Sequence, residues 1–225
     1  MQRAFLIAPL LMATHSCPSM AQSTGPLIAA LDAKTSGPVY SYQLDITVDD
    51  FTGRARIYPD RAIGKRVAMI SPKRTALTSD ERKGLKDIDK DASEDFWCHH
   101  FAKRIPRKGA RLVRQTASTA TYRFNPLPDP KDKDDAKLMK HLTGTVTVAK
   151  DRPAILSFAL SAPKSFKPAV VARVDTFSLK AQCDRSPDGR TFVKTIDLKV
   201  TGSAMLQSFE DKQSRRHSAL RRIAD

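Results

Sequence analysis

The sequence is poor in the residues that tight catalytic loops need. Nine glycines in 225 residues leave little material for phosphate-cradling loops, and no dinucleotide fingerprint or P-loop spacing occurs. The single asparagine, Asn125, precedes Pro126. Ser161-Ala162-Pro163-Lys164 matches the Ser-x-x-Lys pattern of penicillin-recognising enzymes, but its Ser-Asp-Asn and Lys-Thr-Gly companions are missing. There is no Gly-x-Ser-x-Gly elbow. Three cysteines are too few for a disulfide-dense miniprotein, and 40% hydrophobic residues are too many for a disordered tail. No stretch reaches 18 consecutive apolar residues, the length a spanning helix requires. The length suits one large domain or two small ones. No repeat and no linker beyond the Pro/Asp-rich 126–135 stretch divides the chain, so one domain is expected.

The N-terminus carries an address. Arg3 supplies a positive start, Ala4 to Ala13 form a short apolar stretch, and Ser19-Met20-Ala21 places small residues at the cleavage positions. A signal peptide over 1–21 and a periplasmic location follow as expectations. Cys17 follows Thr14-His15-Ser16 rather than the Leu-small-small run of a lipidated cysteine, so it leaves with the signal. Export leaves Cys98 and Cys183, which an oxidising compartment pairs in one way only. Without Arg3 the 39 basic residues become 38 against 24 acidic ones, a charge of +14. Such a charge attracts polyanions. Outside the cytoplasm these are anionic membrane surfaces and acidic proteins rather than nucleic acid.

Periodicity reads as strands. A short helix opens at Gly25-Pro26, where proline suits the first turn. Tyr40, Tyr42, Leu44, Ile46 and Val48 then alternate with polar residues, and Phe51 to Ile57 continues the pattern. A third run precedes Pro72, so the first part is an antiparallel meander. Thr78 and Glu81 form a capping-box pattern before a charged helix, and a short segment follows with Phe96, Trp97 and Phe101. Strands resume near 110–125. A helix over 134–142 precedes strands at 143–149, 154–161, 169–182, 190–201 and 203–209. The basic tail, 211–225, reads as a frayed helix or as disordered.

Candidate chemistry is thin. Trp97-Cys98-His99-His100 holds metal-ligand residue types, but adjacent histidines on a helix diverge by about 100° and no second Cys/His pair stands at a ligand spacing. His141 stands alone. Asp87, Asp89 and Asp91 imitate a calcium loop that fails at Ala92 and Cys98; they read as exposed faces of a charged helix. No catalytic residue, metal or cofactor is assigned. Lys103, Arg104, Arg107, Lys108, Arg111 and Arg114 form a run without an acid. It is either a solvated loop or a docking patch.

The order of helix, meander, inserted helices and second strand set resembles the LolA/LolB-like superfamily of periplasmic lipoprotein carriers. The residues that carry the resemblance are the Tyr40-Ser41-Tyr42-Gln43-Leu44 strand, Tyr58-Pro59 leading to Gly64-Lys65-Arg66, Tyr122-Arg123-Phe124-Asn125-Pro126, and Leu142 to Val148. It implies an α+β fold: a curved antiparallel sheet, an incomplete barrel, wrapped around a few short helices over 22–210. It also implies an apolar hollow that takes acyl chains, since each buried methylene gains about 0.8 kcal/mol. Tyr42, Leu44, Ile46, Phe158, Leu160, Ile196, Leu198 and Met205 are the expected lining; ordinary core is the plainer reading of each. The expected function is therefore a monomeric, non-enzymatic envelope protein carrying a hydrophobic small molecule or lipoprotein acyl chain. A module on the same fold that docks an acidic partner or an anionic membrane is the alternative.

Overall fold

The computed structural model describes residues 24–33, 35–92, 96–205 and 207–223. The signal-peptide reading of 1–21 and Cys17 lie outside the described residues. One antiparallel sheet of eleven strands, not closed into a barrel, accounts for most of the chain. Its strands are β1 (Tyr40–Val48), β2 (Phe51–Ile57), β3 (Val67–Ser71), β4 (Arg111–Gln115), β5 (Thr119–Phe124), β6 (Thr143–Ala149), β7 (Ala154–Ser161), β8 (Phe166–Ala169), β9 (Ala172–Arg185), β10 (Thr191–Ala204) and β11 (Gln207–Arg222). The order is β3-β2-β1-β11-β10-β9-β7-β6-β5-β4, with the short β8 beside β9.

The basic tail is therefore neither a frayed helix nor disordered. As β11 it lies between β1 and β10, and both edges of its backbone are paired. The reason is local. His217 faces Leu44, Arg215 faces Ile46 and Gln213 faces Val48, so the strand alternates but with polar residues at these inner positions. The expected break between strands at 201 and 203 also disappears, because β10 runs on to Ala204 and turns at Met205.

One face of the sheet is covered. A row of paired positions crosses it: Tyr122, Val146, Phe158, Ala181, Ile196, Arg215 and Ile46. Helix α1 (Gly25–Leu31), with proline in its first turn, packs on β5, β6 and β7 and buries Leu27, Ala30 and Leu31. The 3₁₀ helix Cys98–Arg104 lies on β7 and β10. Both belong to one apolar cluster with Tyr122, Phe124, Val148 and Phe158. A second cluster joins Tyr42, Leu44, Ile46 and Ile57 to Leu77, Leu85 and Phe96. Here helix α2 (Ser79–Asp91) closes the face over β1–β3, its start fixed by the Thr78/Glu81 capping box with both reciprocal bonds present. Helix α3 (Lys133–Met139) starts at Asp132, whose carboxylate accepts the backbone N–H groups of Asp134 and Asp135.

Asp89 departs from the reading of an exposed acid. It is buried, and its carboxylate accepts the backbone N–H groups of Gly64, Arg66 and Val67. Gly64 has φ +92, a region a side chain disfavours, so the turn that presents these groups suits glycine. Cys98 and Cys183 form the expected disulfide, with Cα atoms 6.3 Å apart. No helix among the described residues is long and apolar enough to cross a membrane.

Candidate functional site

The sheet's covered face leaves the eight expected lining residues without a common hollow. Tyr42, Leu44 and Ile46 are buried beneath α2, and Phe158 and Leu160 are buried beneath α1 and the 3₁₀ helix. Ile196 and Leu198 are half-buried. Met205 is 78% exposed at the β10–β11 turn, far along the strand from the others. Seven of the eight do share one sheet face, as the alternation implies, but the chain's own helical segments occupy much of it.

A sizeable cavity sits instead at one end of the sheet. It encloses about 790 Å³. Four chain segments meet there: the link between α1 and β1 at Ala33 and 35–38, the start of the 3₁₀ helix, the β6–β7 turn at Arg152-Pro153, and the β9–β10 turn from Arg185 to Thr191. Ala30, Ala33, Pro38, Trp97, Ala154 and Ile155 give it an apolar floor. His99, His100, Lys103, Arg152 and Arg185 bring basic groups to the same space.

The walls are held by specific contacts. Arg190 donates to the Asp188 carboxylate at 2.6 Å, to the Thr35 carbonyl at 3.0 Å and to the Pro38 carbonyl. Its guanidinium also lies 3.7 Å from the centre of the Trp97 ring. One arginine thus fastens the 35–38 segment and the β9–β10 turn around the indole. Trp97 meets Tyr40 edge-on at 6.2 Å, and a backbone bridge pairs it with Phe192. The disulfide joins the first residue of the 3₁₀ helix to β9, two residues before Arg185. Both sides of the cavity are therefore covalently linked.

Burial pushes the His99 imidazole below its ordinary value, the Asp32 carboxylate opposes this, and His100 adds to it. Arg185 is lowered by burial and by the neighbouring Arg152, with Asp151 opposing. Asp32 is held below the usual carboxylate range by its bond to Arg107. Cys98, once a candidate ligand or nucleophile, has its sulfur committed to the disulfide. No cluster of three or more potential metal ligands occurs among the described residues.

The six-residue basic run is split by its partners. Arg104 pairs with Asp135, and Arg107 pairs with Asp32. Lys103 stands at the cavity instead. Lys108, Arg111 and Arg114 stay exposed at the β4 edge, where Arg111 lies directly opposite Arg123 on β5.

Of the cavity residues, sequence reasoning had singled out Trp97, His99 and His100 for another role and Lys103 for the surface. Arg152, Arg185 and Arg190 were missed. Their one signal was position: each sits in or beside a turn marked by Asp151-Arg152-Pro153 or Ser186-Pro187-Asp188-Gly189. Comparison with known proteins finds no matching family model, no similar curated protein and no matching solved structure.

Proposed function

We propose that this is an exported, non-enzymatic binding protein of the cell envelope that holds one hydrophobic molecule, a lipid or an acyl chain, in the cavity at the end of its sheet. The cavity itself carries the reading. About 790 Å³ lies within the 300–1,000 Å³ range that encloses a single small ligand, and its floor is apolar. In this reading the fold is an incomplete barrel of the LolA/LolB type whose hollow is filled by its own helical segments, which moves the ligand from hollow to end. The apolar N-terminal stretch, the cysteine pair and the lack of catalytic motifs support export and binding without catalysis. Native mass spectrometry of protein purified from its own envelope tests it, together with titration by a fluorescent fatty-acyl probe read through Trp97. A bound amphiphile, or saturable quenching of the indole, is the expected result. Empty protein that ignores the probe overturns the proposal.

A second reading has its own observation. Arg111 and Arg123 face each other across β4 and β5, with Lys108 and Arg114 nearby and no ion pair to any of the four among the described residues. Like charges directly opposite are destabilising, and an acidic protein or anionic membrane laid over them removes the cost. Capture by anionic vesicles that weakens steeply with salt supports this reading; salt-insensitive capture refutes it.

A further inference from the structure

The end cavity joins two kinds of surface that seldom serve one purpose. The floor from Ala30, Pro38, Ala154 and Ile155 offers an apolar body nothing but van der Waals contact. The mouth gathers cations. The one acid lining it, Asp188, is already engaged by Arg190 and by the Ser186 hydroxyl. Arg190 in turn directs Nε and both terminal nitrogens to protein acceptors. Arg152 and Arg185 differ. Arg185 donates to the Gly189 carbonyl at 2.8 Å and the Arg152 carbonyl at 2.7 Å, neither of them a charge. The Arg152 side chain meets no acceptor among the described residues, and neither arginine makes an ion pair there. Asp151, the neighbouring acid, does not line the cavity, although its charge reaches both arginines.

Two guanidinium groups beside one another repel; Asp151 offsets this from outside the cavity without an ion pair to either, and an anion placed between them removes what is left. Each also offers planar, forked donors that match carboxylate and phosphate oxygens. We infer that Arg152 and Arg185 form an anion-binding head-group subsite, and that the ligand class is a single-chain amphiphile ending in a carboxylate or phosphate. Its chain lies on the apolar floor against Trp97, and its head sits between the two arginines. The inference rests on the binding role proposed for this cavity and adds the ligand's charge.

Trp97 is the only tryptophan in the sequence and lines the cavity, so its fluorescence reports occupancy directly. The full chain is titrated, below micelle concentrations, with dodecanoate, dodecyl phosphate, dodecan-1-ol, acetate and inorganic phosphate. The anionic amphiphiles are expected to bind at least about tenfold tighter than the alcohol, as a charge-assisted hydrogen bond implies. Arg152→Gln, at an exposed turn, is expected to erase most of that preference, bringing the anionic amphiphiles close to the alcohol's affinity. Arg185→Gln should do the same, with Arg152→Gln deciding if loss of its two backbone contacts unfolds the turn. Equal affinity for alcohol and carboxylate overturns the head-group subsite and leaves the hydrophobic-binding role standing. Acetate or phosphate alone binding as tightly as the amphiphiles overturns the amphiphile class. Silence toward every dodecyl compound overturns both the subsite and the binding role beneath it.

Discussion

Replacing His217 by phenylalanine isolates a pH-dependent contribution to stability. His217 is buried on β11 within reach of Tyr42 and Phe96, whose ring centres lie 5.2 and 5.7 Å away. Its Nδ1 finds no partner among the described residues. Burial lowers its pKa from 6.5 to about 4, helped by Arg215 and opposed by a hydrogen bond to the Val193 backbone. Asp87 and Asp91 of α2 line the same small space. The unfolded chain takes a proton near pH 6.5, and the folded chain refuses it until about pH 4. The group's contribution is therefore intact above pH 6.5 and lost as pH falls toward 4. One pKa unit is worth about 1.4 kcal/mol, so between pH 7.5 and 4.5 the loss is about 2.5 kcal/mol. Urea unfolding of wild type and His217→Phe at both pH values measures it. Groups remote from the substitution are common to both proteins and cancel in the difference. The gap between the two proteins should shift by about 2.5 kcal/mol in favour of the variant at pH 4.5. A gap constant within about 0.5 kcal/mol, against that linkage, refutes the account.

Three further outcomes follow from the same structure. Reducing the disulfide, or replacing both cysteines by serine, frees an 85-residue separation and should cost roughly 2–5 kcal/mol in urea; equal midpoints for the oxidised and reduced proteins would contradict this. Asp89→Asn keeps the shape but strips the charge that accepts three backbone N–H groups, for an expected loss of about 1.5–3 kcal/mol by thermal melt. Deleting residues 207–225 removes a strand paired on both sides and should abolish the cooperative unfolding transition; a deletion protein that melts like wild type would show that the strand is dispensable.

Legibility in the sequence tracked how cleanly each segment separates its faces. Strand β1 was readable because every second residue from Tyr40 to Ile46 is apolar and buried, alternating with the polar Ser41, Gln43 and Asp45. Strand β11 was not, because Gln213, Arg215 and His217 occupy its inner positions and four arginines dominate its composition. Asp89 was hidden among acids of similar spacing, since nothing local distinguishes the one carboxylate that turns toward a loop 25 residues earlier. The cysteine pair was legible through elimination and compartment. The cavity was not legible at all. Its walls come from four segments scattered between residues 30 and 191, and only the assembled sheet brings them to one end. The basic run failed in the opposite way: read as a block, it is divided by Asp32 and Asp135, acids that lie far from it in sequence.

The position of β11 also dictates an order of events. The sheet consists of two meanders, β1 to β3 and β4 to β10, and among the described residues the strand that joins them is β11. Tyr40 is paired with Arg222, so the earliest strand is matched to nearly the final described residues. Contacts of such long sequence separation close late and slowly, because loop entropy must be overcome before they form. The first meander emerges early, and its β1 edge has no partner until the 16-residue β11 is available. Completion of the sheet thus waits on residues 207–222.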